Sequence, residues 1–500
     1  MTKSKRATAN HTPQWDGFIQ GPSSLNQPYN NQYFACYNAR LEMLRDRCLS
    51  NVNESNPIVP KIIELLESKP STAVGIIIKD ISDRPKLDSG YHSSFEGVSY
   101  LGTPFEDDNN DGDNQQPFQT FCSSSDSVFL EDSSGRIELE GDFDMDCLAT
   151  GIVVAIEGVV GATGVLNVSN VHFPSKAPQD TSSADEIVDD DDVKIMLLSG
   201  LDCGGSDGET SLKRELLVDF LTGHFSTEEG SNIARVVIAG GGCTKPIKPE
   251  NISPNWSSGS NNKISAHDKS NITLPVRELD LFLGELVAGG VPVDFIPGLH
   301  DPTNANWPQK PMHPCLLPSS GCFINMLSRS TNPYKAKIGD KSFLGSDGLN
   351  IMDLRRYIAK RVITNDADEV DDEGNMLEPK LEFKETSPLE ALESALKYNH
   401  IAPTGPDSLP TFPFEETDPF VIEDTPHVFF AGNCDDFETK LVKDGEVVTR
   451  LVCVPSFLKT GKAVILGLKS MECAVIEFAD AGEENSNGSI LDEKKINEGE

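Results

Sequence analysis

The stretch VPVDFIPGLHD (residues 291–301) decides the fold of the larger part of the chain. It begins as an apolar run of the kind that forms a buried strand, and Gly298 ends that run. The runs KIMLLSGL (194–201) and ARVVIAGG (234–241) have the same character, and helical patterns separate the three. Strands that alternate with helices are typical of a parallel sheet covered by helices. We therefore predict an α/β sandwich in this region.

Helical periodicity places two helices between these strands, at 211–225 and 276–290. Each has one apolar face, formed by Leu212, Leu216 and Phe220 in the first helix and by Leu279, Phe282, Leu283 and Leu286 in the second. Later apolar runs predict further strands in a second sheet, and these are PHVFFAG (426–432), RLVCVPSF (450–457) and KAVILGLKS (462–470).

The preceding region, residues 60–178, contains short apolar or alternating runs, which are typical of a β-rich domain. Its apolar or alternating runs are TAVGIIIKDI (72–81), VFLEDSSGRIELEGDF (128–143) and TGIVVAIEGVVGATGVLNVSNVHF (150–173). Five or so short strands in about 100 residues favour a Greek-key barrel of the OB type. Its strands carry few aromatic or basic residues, which favours a structural role over single-strand binding. Residues 31–50 predict an amphipathic helix, with Phe34, Tyr37, Leu41 and Leu44 at helical spacing.

Acidic residues are concentrated in four segments of the chain, which carries a net charge of −37. They lie at 105–127, 178–192, 366–378 and 479–500. Self-repelling polar segments with few aromatics are typical of solvated loops, so we predict disordered insertions and a disordered tail. The polar N-terminus, residues 1–30, is predicted to be disordered as well. The acidity argues against a broad nucleic-acid surface, because such surfaces depend on lysine and arginine.

Cysteine usage and the N-terminus indicate the compartment. The eleven cysteines show no Cys-x-x-Cys spacing, and the chain opens with the basic, polar MTKSKRATAN rather than a secretory leader. We expect reduced thiols in a cytosolic or nuclear protein. The cluster of Lys3, Lys5 and Arg6 is either a solvated terminus, which we favour, or an aid to nuclear entry. No apolar run reaches the ~20 residues that span a bilayer, so no membrane association is expected.

The residues that follow each strand are where ligands gather in an open α/β sheet. Gly298-Leu299-His300-Asp301 differs by one residue from the Gly-Asn-His-Asp signature of calcineurin-like metallophosphoesterases, which it resembles. Those enzymes hold two metal ions with carboxylates and imidazoles and thereby generate a hydroxide. The expected order is Asp-x-His, Gly-Asp, Gly-Asn-His-Asp/Glu and Gly-His-x-His after successive strands.

The chain departs from that order at every motif. Ser199 and Leu201 stand where the first carboxylate and imidazole belong, and Gly241 replaces the bridging carboxylate. The other vestigial positions are Leu299, His300, Asn433 and Asp435. A single imidazole does not hold a binuclear centre, so we predict no catalytic residue, no metal and no cofactor. We expect His300 to be structural, with a general acid or base and a metal ligand as alternatives, and Asp301 to be a turn and cap residue.

Several longer blocks resemble the B-subunit family of the eukaryotic replicative DNA polymerases, and within it the branch that serves polymerase delta. The matching blocks are Asp301-Pro302-Thr303-Asn304, His313-Pro314-Cys315, Thr331-Asn332-Pro333-Tyr334, His400-Ile401-Ala402-Pro403-Thr404 and Asp418-Pro419-Phe420. Tyr37, Arg40 and Leu41 resemble the delta branch in particular. The resemblance covers about residues 32–478; Gly241, where we expect asparagine in this family, and the acidic insertions depart from it.

The resemblance implies a non-catalytic scaffold in the nucleus. It implies an OB-type barrel joined to an inactivated calcineurin-like phosphoesterase domain over residues 193–478. The implied partners are the catalytic subunit of polymerase delta, through its C-terminal domain, and the third subunit, with DNA reached only through the complex. Trp307, Pro308 and Phe412 are candidate interface anchors or, equally, core residues. Alternatives are a B-subunit of polymerase alpha or epsilon, an active metallophosphoesterase and a free-standing single-strand binder.

Overall fold

The computed structural model describes residues 6–19, 32–52, 56–81, 120–180, 192–205, 208–224, 229–245, 266–364 and 380–478. The helices are α1 (Asp16–Ile19), α2 (Tyr33–Leu49), α3 (Gly208–Thr222), α4 (Glu229–Asn232), α5 (Ala266–Ala288), α6 (Leu349–Tyr357), α7 (Pro388–Lys397) and α8 (Phe457–Thr460). The first strands are β1 (His11–Pro13), β2 (Ile58–Val59), β3 (Pro70–Asp80), β4 (Ser127–Asp132), β5 (Gly135–Gly141), β6 (Val153–Val160), β7 (Leu166–His172), β8 (Lys194–Leu198), β9 (Ile233–Ala239) and β10 (Val293–Ile296). The others are β11 (Leu327–Arg329), β12 (Tyr334–Ile338), β13 (Lys341–Ser346), β14 (Ala359–Thr364), β15 (Lys380–Glu385), β16 (Val428–Cys434), β17 (Glu438–Asp444), β18 (Val447–Pro455), β19 (Lys462–Gly467) and β20 (Cys473–Glu477).

The chain divides into two compact units. Unit 1 comprises the described residues within Met1–Gln20, Gln179–Leu349 and Pro426–Glu500, and unit 2 those within Gly21–Pro178 and Asn350–Thr425. The described residues of 350–425 therefore group with the barrel, whereas we expected this range within a domain over residues 193–478. A contiguous sequence pattern does not reveal such a grouping, because it shows where elements are but not which ones pack together.

Unit 1 contains two six-stranded sheets, in the orders β11-β10-β9-β8-β19-β20 and β1-β12-β13-β16-β18-β17. In the first sheet β8, β9, β10 and β11 run parallel, as the alternation of strands and helices predicts. Leu279, Phe282, Leu283 and Leu286 of α5 are buried against this sheet, as predicted. The run KAVILGLKS (462–470) forms β19, but its predicted place in the second sheet was wrong. β19 pairs antiparallel with β8 in the first sheet. Its apolar run identified a strand but carried no information about its neighbour.

Unit 2 is built around the sheet β2-β3-β4-β5-β7-β6, which β3 and β6 close into a barrel. The closing pair aligns Val74 with Ala155, and both side chains are buried. Helix α2 packs Leu41 and Leu44 onto these two strands. The barrel and the helix were both predicted, but Phe34 is largely exposed, because the buried stripe of α2 runs through Cys36, Arg40, Leu44 and Cys48 instead.

The N-terminus differs from the prediction of disorder over residues 1–30. Residues 6–19 are ordered on unit 1: β1 pairs antiparallel with β12, and Trp15 lies 5.6 Å from the ring of Tyr334. Arg6 donates to the carbonyl oxygens of Gly230 and Ile233, so its guanidinium is engaged within the chain. The segment is too short and too polar for its order to be predicted from hydrophobic periodicity. It is held by two isolated aromatic residues, Trp15 and Phe18, whose side chains are buried. Lys3 and Lys5 lie outside the described residues.

The predicted acidic insertions fall mainly outside the described residues, as do the tail and residues 20–31. The C-terminal border of the first insertion, predicted at residue 127, was placed too late. Residues 120–127 are described and belong to unit 2. There Cys122 is buried and Phe121 makes an edge contact with Tyr357 at 5.9 Å. Leu212 is another correction, because it is exposed while Leu217 faces the core. No helix among the described residues is long and apolar enough to cross a membrane.

Candidate functional site at the strand ends

The loops that follow β8, β9, β10 and β16 meet at one edge of unit 1, and we call this region the strand-end site. Backbone hydrogen bonds join the loops directly. The N–H of Gly200 donates to the carbonyl of Gly240 at 3.0 Å, and that of Gly240 donates to Ile296 at 3.0 Å. The N–H of Asp202 donates to Gly241 at 3.0 Å. Parallel strands bring these positions together, as the sequence predicts.

Glycine is required where these loops cross, because their backbones approach too closely for a side chain. Gly241 has φ +68°, and a Cβ there would lie 2.8 Å from the Cα of Gly200 and 2.9 Å from Oδ1 of Asn433. A Cβ at Gly298 would lie 2.6 Å from the backbone nitrogen of Gly241. A side chain at either glycine would therefore displace the backbone of a neighbouring loop.

The first motif is bonded into the sheet rather than directed at a ligand. The hydroxyl of Ser199 is within donating distance of the carbonyls of Val454 (3.2 Å) and Pro455 (3.0 Å), and it accepts the N–H of Asn433 at 2.9 Å. Leu201 is completely buried in the apolar core of unit 1. Both side chains are completely buried.

The two residues of the last motif have different surroundings: Asn433 is bonded to neighbouring loops, and Asp435 is exposed to solvent. Asn433 has φ +53°, and its side-chain amide donates to the carbonyls of Ala239 (3.3 Å) and Asp347 (2.9 Å), so it fastens two loops. Asp435 lies on the surface and pairs with Lys459 at 3.0 Å. The structure therefore brings Ser199, Gly241 and Asn433 together but leaves Asp435 away from them. Leu299 and His300 are half-buried in the loop after β10.

Asp301 organises the loop after β10. Its buried carboxylate accepts the N–H groups of Gly298 (2.8 Å), Cys243 (2.8 Å) and Gly242 (3.2 Å). The predicted turn is confirmed, because the N–H of Asp301 donates to the carbonyl of Gly298 at 3.2 Å, but the carboxylate bonds two loops rather than the first turn of a helix. Burial raises the pKa of Asp301, although these N–H groups oppose the rise. Three backbone donors on one carboxylate indicate a structural role.

Sequence reasoning missed Asp347, which follows β13. Its carboxylate is buried and accepts the N–H of Leu349 at 3.2 Å, while its own N–H donates to Asn332 at 3.3 Å. Burial raises its pKa to about 6, and the nearby Asp301 adds to the rise. The signal in the sequence was Ser346-Asp347-Gly348, a carboxylate and a glycine at the end of an apolar strand. We did not count β13 among the strands that contribute to the site.

The candidate interface anchors behave differently from one another. Trp307 is completely buried and Pro308 is buried beside it, which favours the second of the two alternatives for these residues, a place in the core of their own chain. Phe412 is half-buried in unit 2. Within the described residues, no group of three or more His, Cys, Asp or Glu side chains is placed to hold a metal ion. The strand-end site therefore consists of loops that hydrogen bonds join to one another.

Comparisons with known proteins cover nearly all of the folded chain. Residues 195–439 match the family described as the B-subunit of DNA polymerases alpha and epsilon, and residues 32–171 match the DNA polymerase delta subunit OB-fold domain. The second match confirms the predicted barrel type.

Curated relatives extend the similarity over both units. The DNA polymerase delta small subunit of Oryza sativa subsp. japonica is 32% identical over 468 residues, which are 92% of this chain and 95% of the relative. That of Arabidopsis thaliana is 33% identical over 456 residues, 90% of this chain and 91% of the relative. That of Saccharomyces cerevisiae is 27% identical over 470 residues, 90% of each. The predicted membership is confirmed: the chain belongs to the family of DNA polymerase delta small subunits.

Proposed function

We propose that this chain is a non-catalytic accessory subunit of the DNA polymerase delta complex. The relatives are named small subunits of that polymerase, and the similarity covers both units of this chain. The family match over residues 195–439 carries an alpha/epsilon description, so a B-subunit role in those polymerases is the second candidate. The delta-specific match over residues 32–171 favours the first.

The fold of unit 1 supports descent from a calcineurin-like phosphoesterase. Two six-stranded sheets, one with four parallel strands side by side, form the α/β scaffold expected of such a domain. The strand ends lie where a binuclear metal centre would be built. We assign unit 1 as an inactivated version of that domain.

This assignment is supported mainly by one observation: side chains and backbone of the chain itself fill the strand-end site. The polar atoms of Ser199 and Asn433 are bonded to backbone partners, and Gly241 leaves no room for a carboxylate. A two-metal hydrolase needs a cavity lined by anionic ligands in which to generate a nucleophile. This site joins loops instead, which suits a rigid scaffold.

The role of such a scaffold is to bridge other subunits in the nucleus. We propose that unit 1 binds the C-terminal domain of the catalytic subunit and that the barrel-containing unit 2 receives the third subunit. DNA is then reached through the complex, in agreement with the net charge of −37. Phe412 is the remaining candidate anchor, because a partly buried aromatic side chain can contribute strongly to an interface.

The first experiment is affinity purification of the full chain from nuclear extract, with mass spectrometry of its partners and metal analysis of the isolated chain. We expect the catalytic and third subunits of polymerase delta and much less than one divalent metal per chain. Recovery of the alpha or epsilon catalytic subunit would select the second candidate. Two bound metals, with phosphodiesterase activity that His300→Asn abolishes, would overturn the scaffold assignment.

A pair of variants tests the anchor within the same experiment. Phe412→Ser is expected to weaken recovery of one partner, whereas Phe323→Ser, which alters an exposed phenylalanine of unit 1, serves as the control. Circular dichroism confirms that both variants are folded. Unchanged recovery of both subunits with Phe412→Ser would remove Phe412 from the interface.

A further inference from the structure

The N-terminal segment, residues 6–19, lies on unit 1 in the way that a peptide ligand lies on a receptor. Its strand β1 is the outermost strand of a six-stranded sheet and pairs only with β12, while the other five strands pair with one another without it. Addition of one extended peptide to the edge of a sheet is a recurrent mode of recognition, in which backbone bonds supply affinity and pockets supply specificity. We call the surface under the segment, formed by β12, Asp294 and the ends of α3 and α4, the β12 groove.

Backbone hydrogen bonds align the segment along β12. The N–H of Gln14 donates to the carbonyl of Lys335 at 2.9 Å, and the N–H of Gly339 donates to the carbonyl of Asn10 at 2.7 Å. Pro13, between these two bonds, has no N–H to donate. The strand itself has only three residues, so backbone bonds are few and side chains must supply much of the affinity.

Arg6 is the charged anchor at one end of the segment. Its guanidinium donates to three carbonyl oxygens: that of Leu221 in the last turn of α3, that of Gly230 in α4 (2.9 Å) and that of Ile233 at the start of β9 (2.7 Å). The carbonyl groups at the end of a helix lack partners within the helix and attract a cation. This end of the β12 groove is therefore specific for an arginine-like donor.

Trp15 is the aromatic anchor towards the other end. It is 7% exposed, and its ring centroid lies 5.6 Å from that of Tyr334. The Tyr334 hydroxyl donates at 2.8 Å to Oδ2 of the buried Asp294, and Nε2 of His11 lies 3.2 Å from the same oxygen. Burial alone would raise the pKa of Asp294, but His11 and Arg235 outweigh it and lower the pKa. The groove thus presents an aromatic wall and a negative charge to the segment.

Several features of the segment suit a reversible contact. Of residues 6–19, only Trp15 and Phe18 are buried. Nε2 of His11 is buried yet makes no hydrogen bond of good geometry within the described part of the chain, which weakens the bound state. The segment belongs to unit 1, whereas α2, the next described element, belongs to unit 2. Only residues 20–31 join it covalently to the rest of the chain.

We propose that the β12 groove is a binding site for an extended peptide with an arginine and a tryptophan spaced as Arg6 and Trp15 are, and that residues 6–19 occupy it in cis as an exchangeable ligand. Because the segment is tethered, its effective concentration is high and it fills the groove by default. Its release exposes the edge of β12, the wall of Tyr334 and the carbonyl groups at the end of α3. A protein segment with the same order of side chains competes for these contacts.

Hydrogen exchange in the unmodified full chain tests whether the segment opens by itself. The N–H groups of Gln14 and Gly339 should exchange through release of residues 6–19, at least about a hundredfold faster than those of β13 in the same sheet. Mass spectrometry of peptides that cover the two regions measures both rates. Equal protection of the segment and β13 would mean that the segment opens only with the whole unit, and would overturn the proposal.

A cut chain tests whether the groove accepts a peptide in trans. A protease site inserted between Ser24 and Leu25 of the full chain allows the segment to be cut free after folding, and circular dichroism checks the fold before and after the cut. A fluorescent peptide of residues 6–19 should then bind saturably, as measured by anisotropy. Trp15→Ala in the peptide should weaken binding at least about tenfold, since buried tryptophans dominate interfaces. Gln14→Ala, which alters an exposed side chain but keeps the backbone bond, is the matched control.

Three outcomes of the cut-chain experiment would overturn the proposal. Unfolding after the cut would make the segment an integral part of unit 1. Failure of the peptide to replace the original fragment would mean that the groove does not exchange its ligand. Equal binding of the Trp15→Ala and Gln14→Ala peptides would show that the aromatic wall does not select the ligand.

Discussion

Two buried aspartates, Asp418 in unit 2 and Asp347 in unit 1, have opposite electrostatic environments. Nε of Arg40 lies 2.7 Å from Oδ2 of Asp418, and Nε2 of His400 lies 2.9 Å from the same atom. Burial alone would raise the pKa of Asp418, but Arg40 and His400 outweigh it and hold the pKa well below its usual range. Asp347 has only neutral donors, and burial raises its pKa to about 6.

The difference between the two carboxylates is that the charge of Asp418 is stabilised by charged and polar partners, whereas the charge of Asp347 is not. In unit 2, Arg40 also donates to the carbonyls of Gly151, Pro403 and Gly405 at 2.7 to 2.8 Å, so a single side chain of α2 fastens several loops. A buried pair with all donors and acceptors used resists the removal of either partner. At the strand-end site, Asp347 lacks a cation and its charge opposes folding.

The largest effect is expected from Arg40→Met. The substitution removes the cation from the buried Asp418 carboxylate, which keeps the donors of His400 and Phe420, and it removes the arginine donors from three carbonyl groups; the loss should cost about 3–5 kcal/mol in the free energy of unfolding. Arg45→Met is the matched control on the same helix, because its only described hydrogen bond is a solvent-exposed one to Pro60; it should cost less than about 1 kcal/mol. Urea denaturation measures both. A loss below about 1 kcal/mol for Arg40→Met would show that the network adds little.

The pH dependence of the same network provides the next test. Burial, together with the charge of Arg40, lowers the pKa of His400 to about 4, so the ring is neutral in the folded chain. The unfolded chain takes up this proton near pH 6.5, so the contribution of His400 to the free energy of unfolding should fall by up to about 3 kcal/mol as the pH drops from about 6.5 to 4, against the opposite change that Asp347 makes below about pH 6. Compared with the unmodified chain, His400→Gln should remove this contribution, whereas His224→Gln, on an exposed ring, should leave it. Equal slopes in both variants would contradict the assignment.

Asp347 should behave in the opposite way. Because its folded pKa is raised, its contribution is most favourable below about pH 4 and is lost as the pH rises through about 6. Asp347→Asn keeps an acceptor for the N–H of Leu349 and should stabilise the chain at pH 7 by about 2 kcal/mol, with no gain at pH 4. Asp340→Asn, which alters a surface pair with Lys341, is the control. Destabilisation of the Asp347→Asn chain at pH 7 would mean that a cation supports Asp347 there.

Much of the fold could be predicted because buried parallel strands appear as continuous apolar runs. The runs at 194–201, 234–241 and 291–298 coincide to within one residue with β8, β9 and β10 at their N-terminal ends or enclose them, and Ser387 and Glu390 form a capping box at the start of α7. Pairing partners were harder to predict. β19 was recognised as a strand but placed in the wrong sheet, because periodicity describes one face of an element and not its neighbour.

The polar interior was the least predictable part. Arg40 lies within a helix whose pattern we interpreted from Phe34, Tyr37, Leu41 and Leu44, and an arginine is rarely completely buried unless it is paired. Its partner Asp418 lies in a distant part of the chain, so no local pattern connects them. Asp347 was missed for a related reason: its role depends on loops from other strands that meet at the same edge.

The smallest effect concerns the room left at the strand-end site, and it compares two glycines with similar backbone angles. Gly241 and Gly445 have φ +68° and +60°, so alanine is strained at both positions. A Cβ at Gly445 meets nothing within 4 Å, whereas one at Gly241 meets the Cα of Gly200 at 2.8 Å. Gly241→Ala should therefore cost about 1–2 kcal/mol more than Gly445→Ala in urea denaturation, since only Gly241 adds an overpacking penalty. Equal costs would mean that the loops can separate, and a strand-end site that opens so easily could still admit the carboxylate whose exclusion supports the scaffold assignment.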